Sequence, residues 1–314
     1  MMSSPGPSTS SAAAAEAGSD SWLDPAFLDR LRALFLRLRK RRQLRRKGVQ
    51  ATPATGFTRE FKDFRHYTRN DDYRAIDWRL YARLERLFVR LYEEVQEFNV
   101  HVVVDTSASM AQPFADKRTH ALKLAAALSY LGLVSQHRVC LYAMSDRVVT
   151  ELPPVKGQGS IRKVIGILDH LEFDGATDLE RCFNEFRPPR QRYGIIFVIS
   201  DFFGRDVGTA AQALQRCSNW PGESHFIQMV HPKERDPGLE GEVELVDVET
   251  GEHRRLWFTK RDMERYRRVF SAFETELARG CLSRQIDFLP WQTDQSFEDQ
   301  FVELLSRGSA LAHG

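Results

Sequence analysis

After residue 97 the apolar positions settle into a regular alternation of short runs and longer amphipathic segments. The runs "NVHVVVD" (99–105), "RVCLYAMSD" (138–146), "YGIIFVISD" (193–201), "SHFIQMVHP" (224–232) and "IDFLPW" (286–291) are short and rich in β-branched and aromatic residues, which predicts strands. "RVVTELPP" (147–154) adds a short strand behind a tight turn. Between them "KRTHALKLAAALSYLGLVSQ" (117–136), "SIRKVIGILDHL" (160–171), "TDLERCFNEF" (177–186) and "VGTAAQALQRCS" (207–218) carry helical spacing. A charged helix from Lys260 to Gly280 and "FEDQFVELLSRG" (297–308) complete the set. Strands alternating with helices predict an α/β fold with a doubly wound, mostly parallel sheet of Rossmann type over residues 97–308. "EVELVDVETGEHRRLWF" (242–258) breaks the rhythm with two alternating runs around Glu249-Thr250-Gly251-Glu252, a β-hairpin insertion at about 242–259.

The N-terminal third reads differently. Residues 1–22 are Ser, Ala, Gly and Pro with almost nothing to bury, and are expected to be a disordered tail. Over 23–48, Phe27, Leu28, Leu31, Leu34, Phe35 and Leu38 recur at helical spacing behind an Asp24-Pro25 cap, so an amphipathic helix is expected there. Its second half, "RLRKRRQLRRKG", is heavily basic: either a solvated helix end suited to the C-terminal dipole, or a surface for nucleic acid, membrane or another anionic partner. Residues 49–96 interleave Phe57, Phe61, Phe64, Tyr67, Tyr73, Trp78, Tyr81, Phe88 and Tyr92 with Arg and Asp. Asp63, Asp71, Asp72, Asp77 and Glu85 would repel a phosphate backbone, which favours an arm packed on the core with internal Arg–Asp pairs over a nucleic-acid contact.

Composition narrows the class. With 45 basic and 43 acidic residues the net charge is +2, so the chain as a whole is no polyanion binder. Cys140, Cys182, Cys217 and Cys281 stand far apart without a CxxC pair, which argues against disulfides and zinc and for buried thiols. No secretory leader and no run of about 18 apolar residues is present, so a cytoplasmic protein without a transmembrane segment is expected.

The run "VVVDTSASM" (102–110) ends a buried strand in one carboxylate and three hydroxyls. In an open α/β sheet, ligands bind beyond the carboxyl ends of the strands, where Asp105, Ser107 and Ser109 fall. Alternate oxygen donors in a D-x-S-x-S spacing can converge on a hard divalent cation, and the absence of His and Cys disfavours zinc. Thr177, before a helix, and Asp201, at a strand end, supply the further oxygen donors. No GxSxG, Walker A or GxGxxG pattern occurs, so a Mg²⁺-dependent hydrolase is the weaker alternative. His120, His137 and His170 lie on predicted helices or their ends without an acid partner in sequence, and no role is assigned to them.

The ordered set Asp105, Ser107, Ser109, Thr177 and Asp201 resembles the metal-ion-dependent adhesion site of von Willebrand factor A domains. The arm before it, with Glu60-Phe61, Asp63, Arg65, Tyr67, Asp71-Asp72, Arg74, Ile76-Asp77-Trp78, Ala82-Arg83 and Glu93-Glu94, is similar to the signature of the domain-of-unknown-function 58 family, in which such an arm precedes a von Willebrand A-like domain. One departure is Asn70-Asp71-Asp72 where the family usually has Gly-Asp-Asp, a change a tight turn tolerates. The resemblance implies a non-enzymatic adaptor working beside a MoxR-type AAA+ ATPase in assembling or activating other proteins. It further implies a site holding Mg²⁺ or Mn²⁺ mainly through the serine and threonine hydroxyls, with the aspartates acting through water and a partner's Asp or Glu completing the shell. Arg74, Asp77, Trp78 and Arg83 of the arm are its candidate partner-binding residues.

Overall fold

A computed structural model describes residues 26–27, 29–34, 59–68, 71–94, 98–188, 194–204, 209–217, 220–248 and 251–307. The tail at 1–22, the basic stretch after residue 34, Asn70 and the hairpin tip at 249–250 lie outside the described residues.

Six strands form the central sheet: β3 (Asn99–Asp105), β4 (Arg138–Met144), β5 (Val148–Val155), β6 (Gly194–Ser200), β7 (Glu223–Val230) and β10 (Asp287–Gln292). Their order is β10-β7-β6-β3-β4-β5. All neighbours are parallel except the edge strand β5, which returns antiparallel to β4. Every residue of β3 and β6 is buried, as central strands of a parallel sheet covered on both faces must be, including Asn99 and His101 of β3. The strand period of two divides the core in two. Val100, Val102 and Val104 face one cluster with α2 (Ala115–Val134), α3 (Ile161–Asp169) and α8 (Phe297–Arg307). Val103 faces the other with α4 (Leu179–Glu185), α5 (Thr209–Cys217) and α7 (Lys260–Leu282). Phe27 and Leu31 of the N-terminal helical residues join the first cluster, Phe27 packing edge-on against Phe297 at 5.3 Å. All four cysteines are free and buried. No helix among the described residues is long and apolar enough to cross a membrane.

Strands β8 (Gly241–Val246) and β9 (His253–Phe258) form the expected hairpin, apart from the main sheet, between the short α6 (Pro232–Arg235) and α7. The arm has more order than its sequence suggests. β1 (Arg59–His66) and β2 (Phe88–Glu94) pair antiparallel around α1 (Trp78–Leu84). Asp72 and Asp77 accept hydrogen bonds from Arg74 N and from Arg79 N and Leu80 N, capping the turn and α1 respectively. Asp71 takes both terminal nitrogens of Arg65 and the Thr68 N–H, which holds its carboxyl below the usual carboxylate range.

Candidate metal centre

Three turns meet at the carboxyl ends of β3 and β6, and the local sequence explains each. After Asp105 the chain folds into a 3-10 turn, Ala108–Met110, that places Ser107 and Ser109 on one side with their hydroxyl oxygens 3.1 Å apart. The loop before α4 closes over it: Asp174 N donates to Thr106 O at 2.9 Å and Ala108 N to Gly175 O at 3.0 Å. Gly175 has φ +77°, a conformation side chains resist, so glycine suits this turn. Two residues later Thr177 Oγ1 lies 3.4 Å from Asp105 Oδ1. On the neighbouring strand, Ser200 Oγ donates to Asp105 Oδ2 at 2.5 Å.

Asp201 follows at the end of β6, and the next residue, Phe202, has φ +58°. A bulky side chain in the left-handed region carries strain of about 1–3 kcal/mol, of the kind that collects at functional sites. Two contacts hold it: Phe202 N donates to Ser200 Oγ at 2.8 Å, and its ring stacks on Phe226 at 5.2 Å.

Asp105, Ser107, Thr177 and Asp201 are buried, whereas Ser109 is partly exposed and marks the mouth. Burial first, and the charge of Asp201 second, push the Asp105 carboxyl up to about 6. Both oxygens of each aspartate already accept from protein donors. Asp105 Oδ1 takes Ser107 N at 2.9 Å and Oδ2 takes Ser200; Asp201 Oδ1 takes Phe203 N at 3.0 Å, and Oδ2 takes Lys117 Nζ at 2.6 Å.

Lys117, from the first turn of α2, is fully buried and also reaches Glu234 Oε1 at 2.7 Å. Burial alone would lower its pKa, but the charges of Asp201 and Glu234 outweigh it and hold the ammonium above its ordinary value. Sequence reading passed over Lys117, Ser200 and Glu234. A signal existed for the lysine: with Ala121, Leu124 and Leu128 it falls on one stripe of a helix that is otherwise buried.

The donor set fits a small hard cation. Among the described residues no three His, Cys, Asp or Glu side chains gather into a metal-holding group, so a carboxylate or imidazole cage is absent there. What gathers around Asp105 instead is all oxygen: the Thr177 and Ser200 hydroxyls bond its carboxylate, the Ser107–Ser109 pair follows it in the loop, and the Asp201 charge acts on it. Adjacent ligands on a Mg²⁺ octahedron lie about 3.0 Å apart, given metal–oxygen distances of about 2.1 Å. The Ser107–Ser109 separation of 3.1 Å, a hydroxyl–hydroxyl hydrogen bond in this structure, is close to that spacing.

Of the residues read as partner-binding, Arg74, Trp78 and Arg83 are exposed, Trp78 by 59%. Trp78 stands edge-on to the exposed Tyr81 at 6.1 Å, and Arg74 lies over the Tyr73 ring at 5.8 Å. Asp77 is a correction to the sequence reading: it is buried and spends its carboxylate capping α1, so it is not presented to a partner. The histidines also resolve. His120 Nδ1 accepts from Trp291 Nε1 at 3.0 Å, His137 is buried with Nδ1 facing Phe98 N, and none of the three bonds to a described Ser107 or Ser109 hydroxyl.

Comparison with known proteins gives related chains. An uncharacterized protein of Mycobacterium tuberculosis (strain ATCC 25618 / H37Rv) is 24% identical over 306 residues, covering 92% of this chain and 93% of that protein. One from Mycobacterium bovis matches to the same extent. Among solved structures, the conserved hypothetical protein BatB of Bacteroides thetaiotaomicron is 14% identical at a TM-score of 0.44, covering 69% of this chain and 100% of that one. A von Willebrand factor type A structure from Catenulispora acidiphila is 10% identical at a TM-score of 0.34, covering 63% of this chain and 44% of that one. The family model described as protein of unknown function DUF58 matches residues 63–278, more than half the sequence, from within β1 of the arm through five of the six sheet strands. The chain therefore belongs to the DUF58 family.

Proposed function

We propose that this protein is a non-enzymatic adaptor that binds a carboxylate of another protein through a divalent cation, Mg²⁺ or Mn²⁺, held by Asp105, Ser107, Ser109, Thr177 and Asp201. The observation that carries the reading is the division of labour among the oxygens. Each carboxylate oxygen already accepts from a protein donor, while the hydroxyl of buried Ser107 faces that of Ser109 at the mouth. A cation held there chiefly by neutral hydroxyls keeps most of its charge, and an Asp or Glu from a partner is the ligand it then favours.

Catalysis is the weaker reading. Ser107 Oγ and Ser109 Oγ share one hydrogen bond at 3.1 Å, and His120, His137 and His170 bond elsewhere, so no imidazole base is set against either hydroxyl among the described residues. The partner class we propose is a MoxR-type AAA+ ATPase, with Arg74, Trp78 and Arg83 as a second contact. Arg and Trp are the residue types that dominate binding energy at protein interfaces, and these stand exposed on the arm.

The test is capture of a purified MoxR-type ATPase by the full chain in Mg²⁺ or EDTA, for wild type, Asp105→Ala and Trp78→Ala. Capture that needs Mg²⁺, vanishes in Asp105→Ala and weakens in Trp78→Ala supports the adaptor. Equal capture in all arms sinks the metal-dependent mechanism.

A further inference from the structure

Lys117 is the feature of the centre that the adaptor reading does not use. It is the one ammonium among the described residues that is fully buried, and it touches no solvent-facing anion alone but bridges Asp201 to Glu234 of α6. A lysine on that stripe of α2 costs burial of a charge, where leucine would pack at no such cost. Its geometry is specific. Lys117 Nζ takes Asp201 Oδ2 at 2.6 Å while Phe203 N takes Oδ1 at 3.0 Å, so neither oxygen of Asp201 is left without a protein donor. Glu234 is itself fixed: its Oε2 accepts from His231 N at 2.8 Å in the capping box of α6, and its backbone carbonyl accepts from Tyr266 of α7 at 2.6 Å. The ammonium is thereby bonded on both sides, to Asp201 and to an anchored Glu234. The Phe203 ring lies 5.3 Å from Nζ and closes the remaining side.

We infer that Lys117 is a positioning residue that withholds Asp201 from direct coordination, so that the bound cation keeps a vacancy and a positive charge for the partner's carboxylate. The inference rests on the metal-binding reading above and adds a lever on its specificity. The ammonium subtracts from metal affinity and adds to carboxylate affinity, because it repels the cation, engages the competing internal anion and leaves the site less negative. Removing it shifts the two affinities in opposite directions. A merely structural lysine would lower both together, through loss of the folded site.

The experiment uses Mn²⁺ as the metal probe and acetate as the carboxylate probe, on the full-length protein. Mn²⁺ binding is followed by electron paramagnetic resonance, and acetate entry by the fall in water-proton relaxation as it displaces water from bound Mn²⁺. Lys117→Met is expected to bind Mn²⁺ at least tenfold more tightly and acetate at least tenfold more weakly than wild type. Lys117→Met/Glu234→Gln leaves the net charge of the cluster unchanged and relieves the unpaired Glu234. It carries the test if the single variant does not fold, and is expected to shift both affinities in the same directions by at least threefold. Mn²⁺ affinity that is unchanged or weaker in a folded variant, or acetate affinity that does not fall, overturns the role of Lys117 while leaving the metal site standing. Failure of wild type to bind Mn²⁺ overturns the site and the role together.

Discussion

The stability of the buried charge cluster gives a test that needs no metal. Lys117→Met keeps an unbranched apolar stem of nearly the same length and removes the ammonium, leaving Asp201 and Glu234 without their shared cation. Removing one partner of a buried ion pair costs about 3–5 kcal/mol, because the remaining charge stays buried. The two carboxylates differ in what they can recover. Glu234 keeps 13% side-chain exposure and can rehydrate, whereas Asp201 at 0% cannot. The cost therefore sits near the lower end, about 3 kcal/mol, set mainly by Asp201. Urea unfolding in EDTA at pH 7.5, read by circular dichroism, measures it for wild type, Lys117→Met, Glu234→Gln and the double variant. Residues 117 and 234 touch, so the double variant should fall short of the sum of the singles by about 0.5–3 kcal/mol. A loss under about 1 kcal/mol for Lys117→Met, the range of exposed ion pairs, would refute the enclosure of this ammonium.

Two pH effects of opposite sign accompany it. The Asp105 carboxyl is raised in the folded protein, so the folded state holds a proton that the unfolded state has released, and metal-free stability falls as pH rises from about 4 through 6. Asp105→Asn removes that slope; between pH 4 and 7.5 the variant should gain about 3 kcal/mol on wild type in urea melts. An unchanged gap would show that Asp105 titrates normally. His101, buried in β3 beside Tyr142 Oη at 3.1 Å, has its pKa lowered by burial to about 4, which gives the reverse dependence. Its contribution is present above about pH 6.5 and lost as pH falls towards 4, about 3 kcal/mol in all. His101→Asn should flatten the acid limb of the stability curve, and an unaltered limb would place the acid sensitivity elsewhere.

Much of this architecture was legible because burial on both faces of a parallel sheet leaves a strong trace. β6 is an unbroken apolar run ending in Ser200-Asp201, and β3, though it holds Asn99 and His101, ends in Val102-Val103-Val104 before Asp105, which marked both strands and the place where the site begins. The hairpin followed from its alternation about Gly251. Two things were hidden. The arm pairs β1 with β2 across a bulge between Phe61 and Asp63, which breaks the period-two signal in "REFKDFRH", so only its aromatic content was readable. Lys117 was hidden by its charge: lysine is almost always exposed, and what overrides that rule here is a pair of anions contributed from residues 201 and 234, far away in sequence. Asp77 was misread for the converse reason, since a carboxylate in a signature motif can serve the helix it precedes.

The central claim, that the Ser107 and Ser109 hydroxyls hold a divalent cation, is tested most directly by titrating Mn²⁺ into the purified, metal-stripped full chain. Calorimetry on wild type and on Ser107→Ala/Ser109→Ala follows binding, with excess Mg²⁺ as competitor. The account predicts one saturable Mn²⁺ per chain, displaced by Mg²⁺ and lost in the double variant while its unfolding midpoint in EDTA stays within about 1 kcal/mol of wild type. Absence of saturable binding, or binding that survives removal of both hydroxyls, would contradict it.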